Sequence, residues 1–463
     1  MPSSAVVQVI GPSYHLADRK AASQRAVNWR LQQVLALGED KKVILNASEG
    51  WTTDLDFGAQ TRGIFATEAR LFVVAGTNLI EIVAGAAVTR GTVAGSGRVE
   101  MEDGTQQLLI VNGPQGYALS LADNTFSAIA DLDFRGSYSV AELNGTFIFV
   151  ALDQPDQFFL SGIDAGSDFE ALDFSSSDAQ PDTLLTVRVT KQEAFFFGTR
   201  STEVWIYVAD DAFPLVRYNA TPIDIGIVGR SAVVRAADTL FFVGCTERGT
   251  GIVYMMQGHQ PVRVSSDAVE QAIQAAGVDL SQCTMWAAQT VGAELVGLNA
   301  PGLKTTWCFD AATRQWHELG EFADGDWTPL RIQQVVFFGG RHYGIAGTKL
   351  YRMDADSASI DGELMTFERT WPHLISPAFE PVSYRELRLQ CTTGTQTKGR
   401  VTLECSNDGG DVFLPPLLRS LGVVGRRMEP VRWSFLGSAL DRVFRLRATG
   451  VRLNIHGANL DAG

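Results

Sequence analysis

Histidine is scarce in this chain of 463 residues: six, at 15, 259, 317, 342, 373 and 456, with no pair at i,i+4. A helical zinc-protease pair is thereby excluded, and any histidine metal site would have to be assembled from distant segments. Five cysteines, at 245, 283, 308, 391 and 405, include no CxxC pair. Neither a disulfide framework nor a structural zinc site is indicated, so reduced and mostly buried thiols are expected. No run of eighteen apolar residues occurs, and the opening MPSSAVVQVIGPSY has no basic n-region and no long apolar core. No membrane span and no secretory signal are therefore expected. Basic residues are outnumbered, 38 Lys and Arg against 52 Asp and Glu, for a net charge of −14. Such a balance argues against a surface that grips phosphate backbone throughout. The patterns GxxxxGK[ST], HExxH and GxSxG and the EF-hand loop are all missing. The pairs Asp54 with Asp56 and Asp153 with Asp156 have the spacing that surface loops of an acidic chain supply by chance. No catalytic, cofactor-binding or metal-binding residue is expected, and the chain is expected not to be an enzyme.

What is present is glycine, 45 residues against 16 prolines, in a chain 45% hydrophobic and 19% charged. This is the composition of an ordered protein with many tight turns. Residues 194–207 (AFFFGTRSTEVWIY) place an apolar run, a glycine turn and a second β-rich run together, the pattern of two antiparallel strands. The same shape recurs at 68–82, 106–119, 144–160, 237–255, 293–310 and 331–351. The segments that precede these pairs begin near Arg62, Arg98, Ser137, Leu184, Ser231, Met285 and Arg331, at separations of 36, 39, 47, 47, 54 and 46 residues. Such spacing fits blades of three or four short strands. Small residues in each first segment suit the crowded centre of a ring, and closure of the ring removes exposed sheet edges. Phe195, Phe196 and Phe197 are too densely apolar for a strand with one wet face and are expected between blades.

The fold class is thus all-β: an irregular β-propeller over 62–354, with seven apparent blades and six possible, followed by a C-terminal β-sandwich over 362–463. Residues 1–61 read as an arm available for subunit contacts, with a short helix over 21–37 and with Trp29 and Trp51 as anchors. A helical insertion is expected near 265–280: Ser265 or Ser266 caps it, and Ala268, Val269, Ala272, Ile273 and Ala276 recur on a 3.6 period. Residues 355–361 (ADSASID) read as a polar hinge. In the C-terminal region Arg419, Arg426, Arg427, Arg432, Arg442, Arg445, Arg447 and Arg452 form a basic band in an acidic chain. Solvated strand faces and contact with an acidic partner or DNA phosphates are both open for it. Ser406-Asn407-Asp408-Gly409-Gly410 reads as a tight turn with Phe413 returning to the core. It is similar to the Asp-box of carbohydrate-active propellers, with Phe413 in place of Trp.

Taken in order, Gly11-Pro12-Ser13-Tyr14, Ser23 to Trp29 with Arg25 and Asn28, Gly95 to Val99 with Gly97 and Arg98, and Ser201 to Trp205 with Glu203 follow one familiar sequence. Asp408-Gly409-Gly410, Arg419 to Gly422, Arg432 to Gly437 with Trp433, and Arg442 to Leu446 complete it. The chain resembles the packaged-DNA stabilisation, or tail nozzle, proteins of short-tailed bacteriophages. It departs from their pattern at Ala26, Trp29-Arg30 and Asn407. The resemblance implies a virion component at the distal end of the tail, assembled in the host cytoplasm. It further implies a homohexamer around a channel, in contact with the portal-adaptor ring and with tail needle or fibre proteins. Double-stranded DNA would pass through without sequence recognition, and an acidic wall would let it slide. A competing reading is a carbohydrate-binding or glycan-cleaving propeller, for which Trp205, Trp286, Trp307, Trp316 and Trp327 must converge on one open face. A third is DNA binding by residues 362–463.

Overall fold

A computed structural model describes residues 4–34, 42–177, 182–208, 213–218, 222–275, 277–376, 380–394, 399–427 and 429–462. Within them the repeated strand pairs become the second and third strands of antiparallel blades. Blade 4 shows how: Leu184–Thr190, Glu193–Gly198, Thr202–Tyr207 and Leu215–Arg217 pair in sequence order. Successive side chains of a strand face opposite ways. Phe196 therefore points back toward blade 3, its ring 4.1 Å from that of Phe158, while Phe197 points forward to Phe242 of blade 5 at 5.3 Å. A strand buried on both faces needs a continuous apolar run, which FFF supplies, as do Leu71–Ala75 (LFVVA) in blade 1 and Thr146–Val150 (TFIFV) in blade 3. Burying each such ring contributes about 1.5–3 kcal/mol.

Among the described residues the blades number seven. Their first strands are Thr61–Ala66, Glu100–Asp103, Val140–Leu143, Leu184–Thr190, Val233–Ala236, Thr284–Thr290 and Gln334–Phe338, and the last lies against the first, so the ring is closed. Crowding there explains the small residues: a Cβ on Gly63 would sit 2.6 Å from a methyl of Val99 on the next blade. Blade 7 takes only three strands from the end of the ring, Gln334–Phe338, Arg341–Ala346 and Lys349–Asp354. Its outer strand is Gly50–Asp56, from the N-terminal region. A propeller begun at residue 62 leaves that strand out. Ring closure thus stitches the N-terminal region to the last strand of the ring, and Trp51 is buried there.

The rest of the N-terminal region enters the sandwich. One sheet contains Trp29–Val34, Lys42–Ala47, Ile455–Ala462, Val382–Cys391 and Val431–Ser434; Ser4–Val7 also pairs with Ile455–Ala462. The other contains Ser23–Val27, Thr366–Thr370, Asp441–Thr449, Arg400–Ser406 and Leu417–Ser420. Leu387, Leu389, Leu403, Leu446, Trp371 and Trp433 fill the core that these strands share.

Two expectations are overturned. The helix over 21–37 is replaced by the strands Ser23–Val27 and Trp29–Val34, with 35–41 outside the described residues. Asn28 between them has a φ of 59°, which an α-helix cannot accommodate, and pairing with Thr366–Thr370 overrides any local helical preference. Residues 355–361 do not form a free hinge. Ile360 pairs with Trp51 of blade 7, and the Asp361 carboxylate bonds Lys349 at 2.7 Å. A helix does occupy Asp267–Gln274, where the Ser266 hydroxyl accepts from the Val269 amide. Its Ala268, Val269 and Ile273 pack into the core between blades 5 and 6. Ala276 lies outside the described residues.

Candidate functional site: the seam between propeller and sandwich

The outer strand of blade 6, Gln315–Ala323, does not end its sheet. Val27 pairs with Glu318 in parallel, and Ser23–Val27 carries the sheet on into Thr366–Thr370 of the sandwich. Asn28 stands where the two meet. Its side-chain amide donates to the carbonyls of Gly320 (2.8 Å) and Thr366 (2.7 Å), and its carbonyl accepts from the Gly320 amide. Few residues other than glycine adopt the positive φ this position needs, and asparagine is the commonest of them.

Around Asn28 runs a network of buried charge. Glu318 accepts from Arg25 at 2.6 Å, Ser13 at 2.9 Å and Thr305 at 2.7 Å, with His15 3.4 Å away. Burial works to raise its carboxyl, but Arg25 and His15 outweigh it and hold the group well below the usual carboxylate range. Arg25 also faces Glu368, which Arg447 approaches to 2.6 Å; Arg447 in turn lies 3.7 Å from Glu404, which takes Arg445. Arg369 is fully buried and has no carboxylate partner among the described residues. It donates instead to the carbonyls of Val9 (2.7 Å), Pro12 (3.0 Å) and Arg25 (3.1 Å), and burial lowers its pKa to about 9. Its guanidinium leaves no room for a side chain at Gly11, where a Cβ would meet it at 2.9 Å.

The sequence-marked residues fall into groups. Gly11, Pro12, Tyr14, Arg25 and Asn28 line this seam. Asp408, Gly409 and Gly410 join them: the turn is built by Asp408 accepting from the amides of Asp411 and Val412, and Arg19 donates to the Gly410 carbonyl at 3.3 Å. Phe413 is only half-buried, covered by the Arg445 guanidinium at 3.7 Å. Trp433 lies in the sandwich core, donating to the Leu417 carbonyl, and the Gly437 carbonyl accepts from the Tyr384 amide. Glu203 and Trp205 are elsewhere, in blade 4, where one Glu203 oxygen accepts from both Trp205 and Arg217 at 3.0 Å. Gly97 and Arg98 are at the ring axis.

The C-terminal arginine band divides likewise. Arg442, Arg445, Arg447 and Arg452 are internal links, whereas Arg419, Arg426, Arg427 and Arg432 are exposed. Sequence reasoning missed Glu318, Glu368 and Arg369. The only signal was charge inside the strand Thr366–Thr370 (TFERT), all of whose residues are buried.

The arrangement is suited to holding two domains in one orientation. Trp205, Trp286, Trp307, Trp316 and Trp327 are all buried, so they form no platform for sugar rings. Asp54 faces Arg352 at 3.8 Å and Asp153 faces Arg135 at 2.9 Å. Among the described residues no three His, Cys, Asp or Glu side chains are placed to hold a metal, and no helix is long and apolar enough to cross a membrane.

Seven antiparallel blades, the last completed by an N-terminal strand, define the chain as a β-propeller protein. Over residues 31–358, more than half of its length, it matches the family described as Bacteriophage P22 Gp10, beta-propeller, and it belongs to that family. Membership makes it a phage structural protein. No curated protein sequence matches the chain significantly. Among solved structures, the extracellular domain of a putative hybrid two-component system from B. thetaiotaomicron is 8% identical with a TM-score of 0.45, covering 76% of this chain and 43% of that one. The first structure matched, a putative one-component system of the same organism, is 8% identical with a TM-score of 0.44, over 66% of this chain and 40% of that one. The chain thus spans less than half the length of either. The Neurospora crassa Pan2 WD40 domain is 8% identical with a TM-score of 0.40, over 66% of this chain and 96% of that one. At these scores none of the three bears on function.

Proposed function

We propose that this protein is a non-enzymatic component of a bacteriophage tail that forms the distal nozzle ring, retaining packaged DNA and providing the channel for its ejection. The family match over residues 31–358 carries the reading. The seam supports it, because a part that resists internal genome pressure has to keep its domains in fixed orientation. Six copies surround the channel, with the adaptor ring on one side and needle or fibre proteins on the other. DNA follows the axis of that ring rather than the axis of each propeller, whose cavity holds about 1370 Å³. The net charge of −14 suits a wall past which duplex slides without adhering. Electron-microscopy class averages of the purified protein, alone and with adaptor rings, test the proposal. Sixfold rings are expected; a strict monomer at high concentration that never assembles on adaptors would sink it.

A further inference from the structure

The cavity on the propeller axis lies at the end where the first strands begin, and its charge is opposite to that of the protein. Its walls carry five arginines, Arg62, Arg98, Arg188, Arg230 and Arg331, and one carboxylate, Glu100. Three of the five are committed. Arg62 donates to the carbonyls of Gly76, Val93, Ala94 and Gly97, Arg188 pairs with Glu100 at 2.5 Å, and Arg331 pairs with Glu321 and Glu363. Arg98 and Arg230 have neither a hydrogen bond nor an ion pair among the described residues. Arg230 only stacks on Tyr138, 4.1 Å from the ring centre. Arg98 is solvent-accessible yet walled by protein, and loss of hydration lowers its pKa to about 10. The carbonyl bond from Arg62 to Gly97 fixes the loop that presents it.

We infer that this mouth is a binding site for an acidic peptide segment of a partner protein, whose carboxylates pair with Arg98 and Arg230. Guanidinium groups that face one cavity without a hydrogen-bonded partner favour an anion, and the guanidinium fork matches a carboxylate. Space selects among anions. A lone inorganic ion fills only a small part of about 1370 Å³. A chain terminus or loop fills more of that space and meets further polar side chains at Gln282 and Gln334. The inference is independent of the ring reading, since it concerns each propeller by itself.

Fluorescence polarisation of a labelled peptide of alternating Glu and Gly, added to the full-length protein at low salt, tests it. Saturable binding is expected, weakened about tenfold by Arg98→Ala and again by Arg230→Ala, as loss of a charged hydrogen bond requires. Arg98→Lys should retain part of the affinity, and Arg426→Ala, on the exposed face of the sandwich, should change nothing. Because neither cavity arginine supports a neighbour through a hydrogen bond, the variants should melt like the parent. Equal affinity in parent and double variant would overturn the site, as would no binding at about millimolar peptide. Inorganic phosphate binding without peptide binding would replace the assignment with a small anion. A short duplex that binds more tightly than the peptide and loses affinity in the same variants would replace it with nucleic acid.

Discussion

Neighbouring blades and the seam between propeller and sandwich are both buried contacts, but opposite chemistry holds them. Between blades 3, 4 and 5 the contact is phenylalanine on phenylalanine and tryptophan, non-directional and tolerant of small shifts. At the seam it is arginine on glutamate and arginine on carbonyl oxygen, each bond with a required direction. Apolar packing supplies most of the stability of a ring. It does not by itself say where a second domain attaches, since any blade edge offers similar strands. The paired charges of Arg25, Glu318, Glu368 and Arg447 are satisfied in one attachment only, and a misplaced sandwich would leave them buried and unpaired.

The comparison is broken hardest by Glu318→Ala, which leaves Arg25 only its 3.4 Å contact with Glu368 and is expected to cost about 4 kcal/mol in chemical denaturation. The double change Arg25→Met with Glu318→Leu should recover most of that loss, as apolar replacement of a buried pair usually does. If the double variant is as unstable as the single one, the network contributes stability rather than orientation. Phe196→Ala opens a cavity between blades 3 and 4 and should cost about 3 kcal/mol, with no second substitution of opposite charge able to restore it.

Acid and base should separate the two regions by a few degrees in melting temperature. His317, fully buried at the seam, is pushed down from 6.5 to about 3 by burial and by Arg30. A depressed histidine contributes stability above pH 6.5 that is lost as the pH falls toward 3. Glu102, on the axial strand Glu100–Asp103, is raised from 4.5 to about 8 by burial and by Asp103. Its contribution is full below pH 4.5 and is lost as the pH rises through 8. His317→Asn should flatten the acid limb of the stability profile and Glu102→Gln the neutral limb; unchanged limbs would refute the assignment. The smallest effect is expected for Ser266→Ala, about 1 kcal/mol from the lost helix cap, read by thermal denaturation.

Much of the ring was legible because its signal is local. An apolar run, a glycine turn and a second β-rich run recur with each blade, and the doubly buried Phe195–Phe197 run announces neighbours on both sides. The outer strand of blade 7 was not legible. Gly50–Asp56 pairs with residues 349–354 across the whole ring, and nothing in its own pattern tells a propeller strand from a sandwich strand. The segment 21–37 misled for the same reason: its local composition admits a helix, and only pairing with Thr366–Thr370 makes it a strand. Arg25 and Asn28 could be singled out from the sequence, whereas Glu318, Glu368 and Arg369 could not, since a charged residue in a strand carries no mark of burial.

Sequence by itself determined the all-β class, the repeat and the blade cores, because these rest on hydrophobic periodicity and turn residues within a few positions of one another. Tertiary structure alone decided the rest: which strand closes the ring, that blade 6 shares its sheet with the sandwich, and that Arg98 and Arg230 face one axial cavity. Each joins residues tens to hundreds of positions apart. Such pairings are selected by the geometry of closure and by the cost of burying charge unpaired, and neither quantity is written in any short stretch of chain.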